Sequence, residues 1–503
     1  MKVFLPHGTN LSDSRHSISQ QSDFLHQNSR VKMKMFFCSS SFSLQLLLTL
    51  VSILHSFPVC STNQNAAKVV PDKILSSNMD PLELETLFKI METLSSDKKW
   101  RASYPNPCQP ASSWPGIECR YTASDNRFHV TRLDFGTPPN PSCKNSATFP
   151  SQIFHLPHLE SIFIFQCFTQ APARISVPAN NPFTSSLQQL SLRSNSALIG
   201  TIPPQLSSLK SLQILTLSQN KLTGEIPVEI FSLSSLVHLD LSYNILTGSI
   251  PLEIGNLRNL VGLDFSYNKL TGPVPSALGN LRILQKLDLS SNSLSGKIPD
   301  TIQQLNSLVF FALSNNRFQG TFPRGLTGLQ NLQYFLMDNN PMFVSLPLEL
   351  SHLKKLQELR LSNSGYSGTI PSAYSQLMNL SSLSLENNRL SGRIPTGFSN
   401  LSHIYHLNLS RNFLDGTVPF NSTFLKRLGR NLDLSGNPGL CLSPSAANAV
   451  DVGVDVCGNS KTSSSSSIKP LKKSQAPLKS FTLCAVINVA LFLLTLHHGL
   501  CSC

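Results

Sequence analysis

The feature that most constrains the fold is a repeat of 24 residues in the middle of the chain. The segment LVHLDLSYNILTGSIPLEIGNLRN covers residues 236–259, and LVGLDFSYNKLTGPVPSALGNLRI follows directly at residues 260–283. A single unit of this length cannot bury its own apolar face, so similar units must stack on one another. The chain is therefore predicted to form a solenoid rather than one globular core.

Each repeat unit encodes one coil. The alternation LxL predicts a short strand in which Leu239 and Leu241 face inward and Asp240 faces outward. Asn244 follows at the turn, where its side-chain amide can bond backbone groups that would otherwise lack partners. Gly248 fits a tight return bend. The LxxLxLxxN pattern at this period predicts an α/β leucine-rich repeat solenoid with parallel β-strands on its concave face.

The inward turn position can be followed from coil to coil, and it predicts about 12–13 coils within residues 129–440. Its residues are Cys143, Cys167, Asn195, Asn220, Asn244, Asn268, Asn292, Asn316, Asn340, Ser364, Asn388, Asn412 and Asn437. Two coils depart from the pattern, because Ser364 replaces the asparagine and because Val344 and Ser345 stand where a glycine is expected. We expect the ladder to be strained or locally different at these places.

Cysteine-bearing segments flank the repeats and are predicted to cap the solenoid. Residues 80–128 form the N-terminal cap, in which Asp80, Pro81 and Glu83 mark the start of a helix. Residues 441–458 form the C-terminal cap. Six cysteines leave the pairing open by count alone, but their positions favour bonds between successive cysteines. The predicted disulfides are Cys108–Cys119, Cys143–Cys167 and Cys441–Cys457; for the second pair, the alternative is that each cysteine simply replaces asparagine in the ladder.

The N-terminal segment, residues 1–61, is predicted to be a leader and signal peptide. Two lysines precede an apolar run from Phe36 to Phe57, and small residues suitable for cleavage follow it. The polar leader is long for this role, which makes Met33 or Met35 a candidate start of translation. The alternative is a genuine first membrane helix.

The C-terminal segment changes composition sharply after Cys457. Residues 459–480 form a Ser/Lys-rich stalk, and residues 481–503 form a hydrophobic C-terminal signal or anchor. The apolar run spans 16 residues, whereas a membrane helix needs roughly 20. Small residues, a polar spacer and an apolar tail predict a lipid-anchor signal, with a glycosylphosphatidylinositol attached within residues 458–467. A short single membrane span is the alternative.

Four N-glycosylation motifs lie in the body of the chain. They are at Asn379, Asn400, Asn408 and Asn421. Together with a signal peptide and paired cysteines, these motifs place the repeats outside the cell.

Charge and motif content exclude several functions. The formal net charge is +13, but much of the excess lies at the two ends, and the body lacks the basic cluster that nucleic-acid binding needs. The tripeptide Asp134-Phe135-Gly136 occurs without any other kinase motif. The histidines are scattered, and no serine lies in a nucleophile arrangement. We therefore expect no enzyme, no cofactor and no metal site.

Outward-facing strand residues predict a binding surface on the concave face, where solenoids bind partners. Asp240, Asp264 and Asp288 belong mainly to the background of the repeat. Beyond them, apolar residues interrupt a face that is otherwise serine and aspartate, with charged residues at the rim, as in the centre of an interface. The candidate ligand-binding residues are Lys286, Phe310, Tyr334, Leu336, Glu358 and Arg360. The alternative is that the two aromatic residues simply pack against each other across adjacent strands.

The units LxxLxLxxNxLxGxIP and the cap NPC…WPGIEC resemble the plant-specific class of extracellular leucine-rich repeats. Within that class, LETLFKIMETLSSDKKWRASYPNPC, TPPNPSC and SIFIFQCF resemble the Piriformospora indica-insensitive receptor-like proteins. This resemblance implies a cell-surface receptor-like protein without a kinase, linked to perception of root-colonising microbes. Polygalacturonase-inhibiting proteins are similar only at the generic repeat positions.

We therefore expect a receptor-like protein that passes through the secretory pathway to the extracellular face of the plasma membrane, lipid-anchored or single-span. It is expected to bind an extracellular peptide, glycan or protein ligand on its concave face and to act with a membrane receptor kinase. Nucleic acid is not expected among its partners. The alternative is a secreted inhibitor of a microbial wall-degrading enzyme.

Overall fold

The computed structural model describes residues 79–109, 113–178, 186–446 and 451–458. The predicted leader, signal peptide, stalk and hydrophobic tail lie outside these residues, so those assignments stay predictions. Among the described residues, no helix is both long and apolar enough to cross a membrane.

The N-terminal cap begins with a helix, Pro81–Leu94, as the sequence predicts. The carboxylate of Asp80 accepts hydrogen bonds from the backbone N–H groups of Leu82 and Glu83, so it caps the first turn. Buried side chains of this helix pack toward the first coil. A second, short helix, Trp100–Ser103, follows.

Glu83, in the first turn of this helix, directs its side chain toward the solenoid. Its side chain is buried, and its carboxylate accepts a hydrogen bond from the backbone N–H of Val130 at 2.9 Å. The other carboxylate oxygen lies 2.7 Å from Nδ1 of His129. Glu83 therefore joins the cap helix to the first strand of the solenoid instead of reaching back to its own helix start.

The main sheet contains fourteen of the described strands. In sheet order they are Ile117–Thr122, Arg127–Phe135, Ser161–Phe165, Gln189–Arg193, Ile214–Thr216, His238–Asp240, Gly262–Asp264, Lys286–Asp288, Phe310–Ala312, Tyr334–Leu336, Glu358–Arg360, Ser382–Ser384, His406–Asn408 and Leu432–Asp433. The first strand pairs antiparallel with the second, and all later pairs are parallel and in register. This architecture confirms the predicted leucine-rich repeat solenoid.

One continuous apolar core runs through the coils because the leucines recur at fixed positions. Leu239, Leu263 and Leu287 pair in register in neighbouring strands, and each is at most 1% exposed. Each coil covers the apolar side of the next, as stacked repeats require. The outward residues between the leucines form the second side of the main sheet, which is the predicted concave face.

The inward asparagines form the predicted ladder. The Oδ1 atom of Asn244 accepts a hydrogen bond from the backbone N–H of Leu222 in the preceding coil. Its Nδ2 group donates to the carbonyls of Leu217 and Leu241. Because the same bonds recur at Asn268 and at later coils, the side chain satisfies backbone groups that no strand would otherwise reach.

Ser364 maintains the ladder with a shorter side chain. Its hydroxyl lies 2.9 Å from the carbonyl oxygen of Ser362, to which it donates, and accepts from the backbone N–H of Asn340 at 3.2 Å. Asn388 in the next coil satisfies the remaining backbone groups at this turn, since its Oδ1 accepts hydrogen bonds from the N–H groups of both Ser364 and Tyr366. The expected irregularity at this coil is therefore absorbed by hydrogen bonds.

Shorter strands and 3₁₀ helices complete each coil. The short strands form three separate sheets and are, in chain order, Ile199–Gly200, Lys221–Gly224, Ile245–Leu246, Thr271–Pro273, Ser293–Gly296, Arg317–Phe318, Ser367–Thr369, Arg389–Arg393, Phe413–Thr417 and Gly439–Cys441. The 3₁₀ helices are Ser151–His155, Pro204–Ser208, Val228–Ser232, Leu252–Asn256, Ser276–Asn280, Asp300–Gln304, Arg324–Gly328, Leu348–His352, Ser372–Gln376, Thr396–Asn400 and Gly429–Asn431. An α-helix, Ser422–Leu428, precedes the last coil.

The coil that lacks the expected glycine differs locally, as predicted. Between the short strands Arg317–Phe318 and Ser367–Thr369 this coil forms no short strand of its own, and only an isolated bridge joins Ser345 to Ser367. Phe343 adopts a left-handed φ of 50° there, and 61% of its surface is exposed. A bulky residue seldom adopts this conformation without a compensating contact.

The three predicted disulfides are all present. Cys108–Cys119 lies in the N-terminal cap, and Cys441–Cys457 in the C-terminal cap. Cys143 and Cys167 join the inward turns of the first two coils, with Cα atoms 5.0 Å apart. This separation is that of neighbouring strands and suits a disulfide, so the alternative of two ladder cysteines is wrong.

Candidate ligand-binding face

The six candidate residues lie side by side on four neighbouring strands of the main sheet. Lys286 pairs in register with Phe310, Phe310 with Tyr334, and Tyr334 with Glu358. One position further along the strands, Leu336 pairs with Arg360. Because parallel strands lie about 4.8 Å apart, the sequence positions form one contiguous patch, which we call the strand patch. Its role in binding stays a prediction.

At one edge of the strand patch, Lys286 is surrounded by three aspartates. Its Nζ atom lies 2.7 Å from a carboxylate oxygen of Asp264. Burial opposes the charge of Lys286, but Asp264, Asp288 and Asp240 outweigh burial and hold its pKa above the ordinary value. Burial and Asp264 raise the pKa of Asp288 to about 7, against the effect of Lys286. This edge therefore holds more than one acidic group around a single cation.

The aspartates that end these strands, Asp240, Asp264 and Asp288, also stabilise the fold. Asp240 accepts hydrogen bonds from both the backbone N–H and the hydroxyl of Ser242, two residues further on. Asp264 and Asp288 bond their own serines in the same way. These bonds close the turn after each strand, which gives a physical reason for their place in the repeat background.

Phe310 is not the open apolar anchor that the sequence predicts. Only 8% of its surface is exposed, because Lys286 and Tyr334 flank it on neighbouring strands. The rings of Phe310 and Tyr334 lie with their centroids 6.1 Å apart. They therefore pack against each other across adjacent strands, which was the alternative to a ligand-binding role. Tyr334 and Leu336 stay half-buried and contribute the apolar surface that a ligand can reach.

Tyr334 and Glu358 lie in a half-buried polar environment. The hydroxyl of Tyr334 lies 3.3 Å from the side-chain oxygen of Gln357. Burial and the carboxylate of Glu358 raise the pKa of Tyr334. Burial also raises the pKa of Glu358, against the opposing effect of Arg360. The face can thus offer a hydroxyl and a carboxyl group to a ligand beside an apolar ring.

Arg360 is held by a partner that the sequence did not single out. Its Nε atom lies 2.9 Å from Oδ2 of Asp338, whose side chain is only 3% exposed. Asp338 occupies the position two residues after the end of its strand, where Ser242 and Ser266 stand in other coils. The sequence does contain a signal for this ion pair: an acidic residue, Asp338, replaces the usual serine, and Arg360 lies on the strand of the next coil.

The predicted glycosylation sites differ in how their side chains are used. The amide of Asn408 accepts from the N–H and hydroxyl of Ser410 and donates to Glu386, because Asn408 occupies the aspartate position of the repeat. Asn421 accepts from Phe424 N–H at its helix start, and Asn379 donates to a carbonyl. Asn400 is exposed. All four sites stay predictions.

No group of three or more histidine, cysteine, aspartate or glutamate side chains within the described residues is arranged to hold a metal ion. The strand patch offers two cations, one carboxylate, an apolar surface and a phenolic hydroxyl. Such a mixture suits the recognition of a partner.

Comparison with known proteins also finds leucine-rich repeats in this chain. The family model "Leucine rich repeat" matches residues 185–246 and 258–318, and a second leucine-rich repeat model matches residues 379–401. These matches agree with the leucine-rich repeat solenoid that the described residues form. Its resemblance to plant receptor-like proteins is also confirmed by the relatives below.

"Receptor like protein 29" of Arabidopsis thaliana is 65% identical over 146 residues, which cover 29% of this chain and 31% of that protein. "Piriformospora indica-insensitive protein 2" of the same plant is 31% identical over 180 residues, covering 34% of this chain and 40% of that protein. The chain thus spans less than half the length of these curated relatives. The crystal structure of PEPR1-AtPEP1 superposes with a TM-score of 0.59 and 28% identity, covering 72% of this chain and 51% of that chain.

Proposed function

We propose that this protein is a cell-surface, ligand-binding receptor-like protein whose extracellular ligand lies across the strand patch. The observation that carries the proposal is the in-register placement of Tyr334, Leu336, Glu358 and Arg360 on adjacent strands. Similarity to a protein named receptor-like and to the solved PEPR1-AtPEP1 complex supports a binding role. We infer that it acts with a membrane receptor kinase and takes part in plant–microbe perception.

The finer points of this proposal rest on the sequence. Paired cysteines and four glycosylation motifs favour an extracellular location. The apolar C-terminal segment favours a glycosylphosphatidylinositol anchor. Release of the protein from membranes by phosphatidylinositol-specific phospholipase C would support the anchor, whereas Cys484 found in the mature chain would exclude it.

The test compares three forms of the full chain as bait for plant extracellular fluid and membrane extracts. One is unaltered, one carries Tyr334→Ala with Glu358→Gln, and one carries Ile214→Ala with Thr216→Ala. Ile214 and Thr216 lie on a distant strand of the same face, so the third form is a matched control. Glu358 is preferred to Arg360 as a target, because removing Arg360 would leave Asp338 buried without its partner.

We expect quantitative mass spectrometry to find a ligand or receptor with the unaltered chain and with the control, and to find it strongly depleted with the double variant at the strand patch. Equal recovery with all three folded baits would place the binding site elsewhere. Recovery of a microbial wall-degrading enzyme as the chief partner would favour the inhibitor alternative.

A further inference from the structure

A second candidate site lies away from the strand patch, at the turns that follow the strands. There, near the C-terminal end of the solenoid, a groove of about 770 Å³ runs across several coils. Its most prominent lining side chains are Phe343, Arg389, Arg411 and Phe413. We call it the turn groove. We propose that the turn groove binds a linear acidic oligosaccharide built of uronic acid units.

Two exposed phenyl rings supply the apolar part of the turn groove. Phe343 is 61% exposed and Phe413 is 62% exposed, which is unusual for side chains of this size. The ring of Phe343 packs against Gly365, so closely that a Cβ added to this glycine would lie only 2.5 Å from the ring. Any larger residue at this position would displace the ring. Such rings can stack against the apolar face of a pyranose.

Two arginines supply the positive charge. The guanidinium of Arg389 lies 5.5 Å from the centre of the Phe343 ring, within the range of a cation–π contact. Arg411 is exposed on the next coil. Within the described residues, neither guanidinium forms an ion pair with a carboxylate, in contrast to Arg360 in the strand patch. Planar guanidinium groups match carboxylates in geometry, so the charge favours a carboxylated ligand.

A row of amides lines the rest of the turn groove. Asn339, Asn363 and Asn387 occupy equivalent turn positions on successive coils, each with a left-handed φ that directs it to the same edge. Asn387 donates to Asn363 at 2.6 Å, and Asn339 donates to Asn315 at 2.7 Å. An amide has two N–H donors and an acceptor oxygen, so each retains bonding capacity for a hydroxyl group. The amides repeat about every 4.8 Å along the solenoid, as a polymer with regular hydroxyls requires.

These features together favour an acidic glycan over an acidic peptide. Exposed rings beside arginines could serve either ligand, but a regular row of exposed amides suits repeated hydroxyl groups. The proposal is independent of the strand patch, because the two sites share none of the residues named for either. A negative result at one site therefore does not contradict the proposal for the other site.

The experiment measures binding of three probes to the full secreted chain by isothermal titration calorimetry. The probes are oligogalacturonic acid, its neutral methyl ester and oligoglutamate. We expect oligogalacturonic acid to bind, with the methyl ester and oligoglutamate each at least about tenfold weaker, since charge-assisted hydrogen bonds and ring stacking are both needed. Oligoglutamate binding as tightly as the uronide, or no binding of the uronide, would overturn the proposal.

Paired variants separate a site from general attraction to a basic chain. Arg389→Gln with Arg411→Gln should weaken uronide binding by roughly tenfold or more. The matched control is Lys269→Gln with Arg317→Gln, two exposed cations at the coil position of Arg389 but outside the turn groove. The control should bind as the unaltered chain does, and equal losses in both double variants would contradict the proposal.

Two further variants test the apolar part and the independence of the site. Phe343→Ala should weaken uronide binding in a chain with an unchanged circular dichroism spectrum. Tyr334→Ala in the strand patch should leave uronide binding unchanged. Full affinity after loss of the Phe343 ring would remove the aromatic contact from the proposal and overturn it.

Discussion

The Nδ1 atom of His129 lies 2.7 Å from a carboxylate oxygen of Glu83, although 46 residues separate them in the chain. Both side chains are almost fully buried, and the second ring nitrogen of His129 lies 2.8 Å from Asp125. Glu83 also accepts from the backbone N–H of Val130. This one carboxylate therefore fastens the N-terminal cap to the first coil, at the end of the solenoid that would otherwise expose its core.

Glu83→Ala should destabilise the protein strongly. Removing the buried carboxylate takes a hydrogen-bond partner from Nδ1 of His129 and from the N–H of Val130, and a buried polar group left unsatisfied costs about 1–3 kcal/mol. The matched control is Glu85→Ala on the exposed side of the same helix, where the ion pair with Arg101 is solvent-accessible and contributes only about 0–1 kcal/mol. Urea denaturation measures both, and equal effects would show that Glu83 does not join the cap to the solenoid.

Arg360→Ala should lower the free energy of unfolding because it leaves Asp338 buried without its cation. The loss should be about 1–3 kcal/mol, because Asp338 is buried but the side chain of Arg360 is 37% exposed. In the double variant Arg360→Ala with Asp338→Ser, the serine found at this position in other coils removes the orphaned charge. We expect this double variant to recover most of the loss in thermal denaturation, and no recovery would contradict the pairing.

Asp288 should make stability depend on pH. Burial and Asp264 raise its folded pKa to about 7 from an ordinary value of 3.8. Between these values the folded protein keeps a proton that the unfolded chain has released, so this group's contribution to stability falls as pH rises from about 4 to 7 and is constant above. Asp288→Asn should flatten that part of the melting-temperature profile and raise stability at neutral pH. An unchanged slope would exclude Asp288 as its source.

Removing the disulfide between the first two coils should loosen the N-terminal end. Cys143 and Cys167 are 24 residues apart, and closing a loop of this length contributes about 3–4 kcal/mol in the chain-entropy model. Cys143→Ser with Cys167→Ser should therefore lower the denaturation midpoint and raise amide hydrogen exchange in the first two coils. Exchange that rises equally along the whole solenoid would contradict a local role.

The sequence predicted the fold well because the repeat leaves little freedom. Because Leu239 and Leu241 must both face inward, the segment between them must be a strand, and Asn244 must lie at the turn that follows. The constant period then sets the register with the strand of the next coil. The same reasoning found the second disulfide, since Cys143 and Cys167 occupy equivalent positions of stacked coils.

The site was predicted less completely because neighbouring strands act on each other's side chains. The alternation of a single strand places Phe310 outward, but Lys286 and Tyr334 cover it from both sides, so its ring is buried. Similarly, the burial of Asp338 and its bond to Arg360 join residues of two coils. These effects depend on side-chain packing between coils, which the period alone does not specify.

The turn groove was not predicted because it is formed by several coils together, and one of them departs from the repeat. Val344 and Ser345 in place of a glycine pointed to a local difference, but not to an exposed Phe343 in a left-handed conformation. The side chain rests on Gly365 of the following coil. A contact of this kind is visible only once both coils are in place.

Photo-crosslinking from the strand patch tests most directly whether the ligand lies there. The full chain is prepared with benzoylphenylalanine at position 334 or, as a control, at position 214 of the same face, and is irradiated in plant extracellular fluid and membrane extracts. We predict one dominant cross-linked species from position 334 that unlabelled protein competes away, and none from position 214. The same species from both positions, or from position 214 alone, would contradict the account.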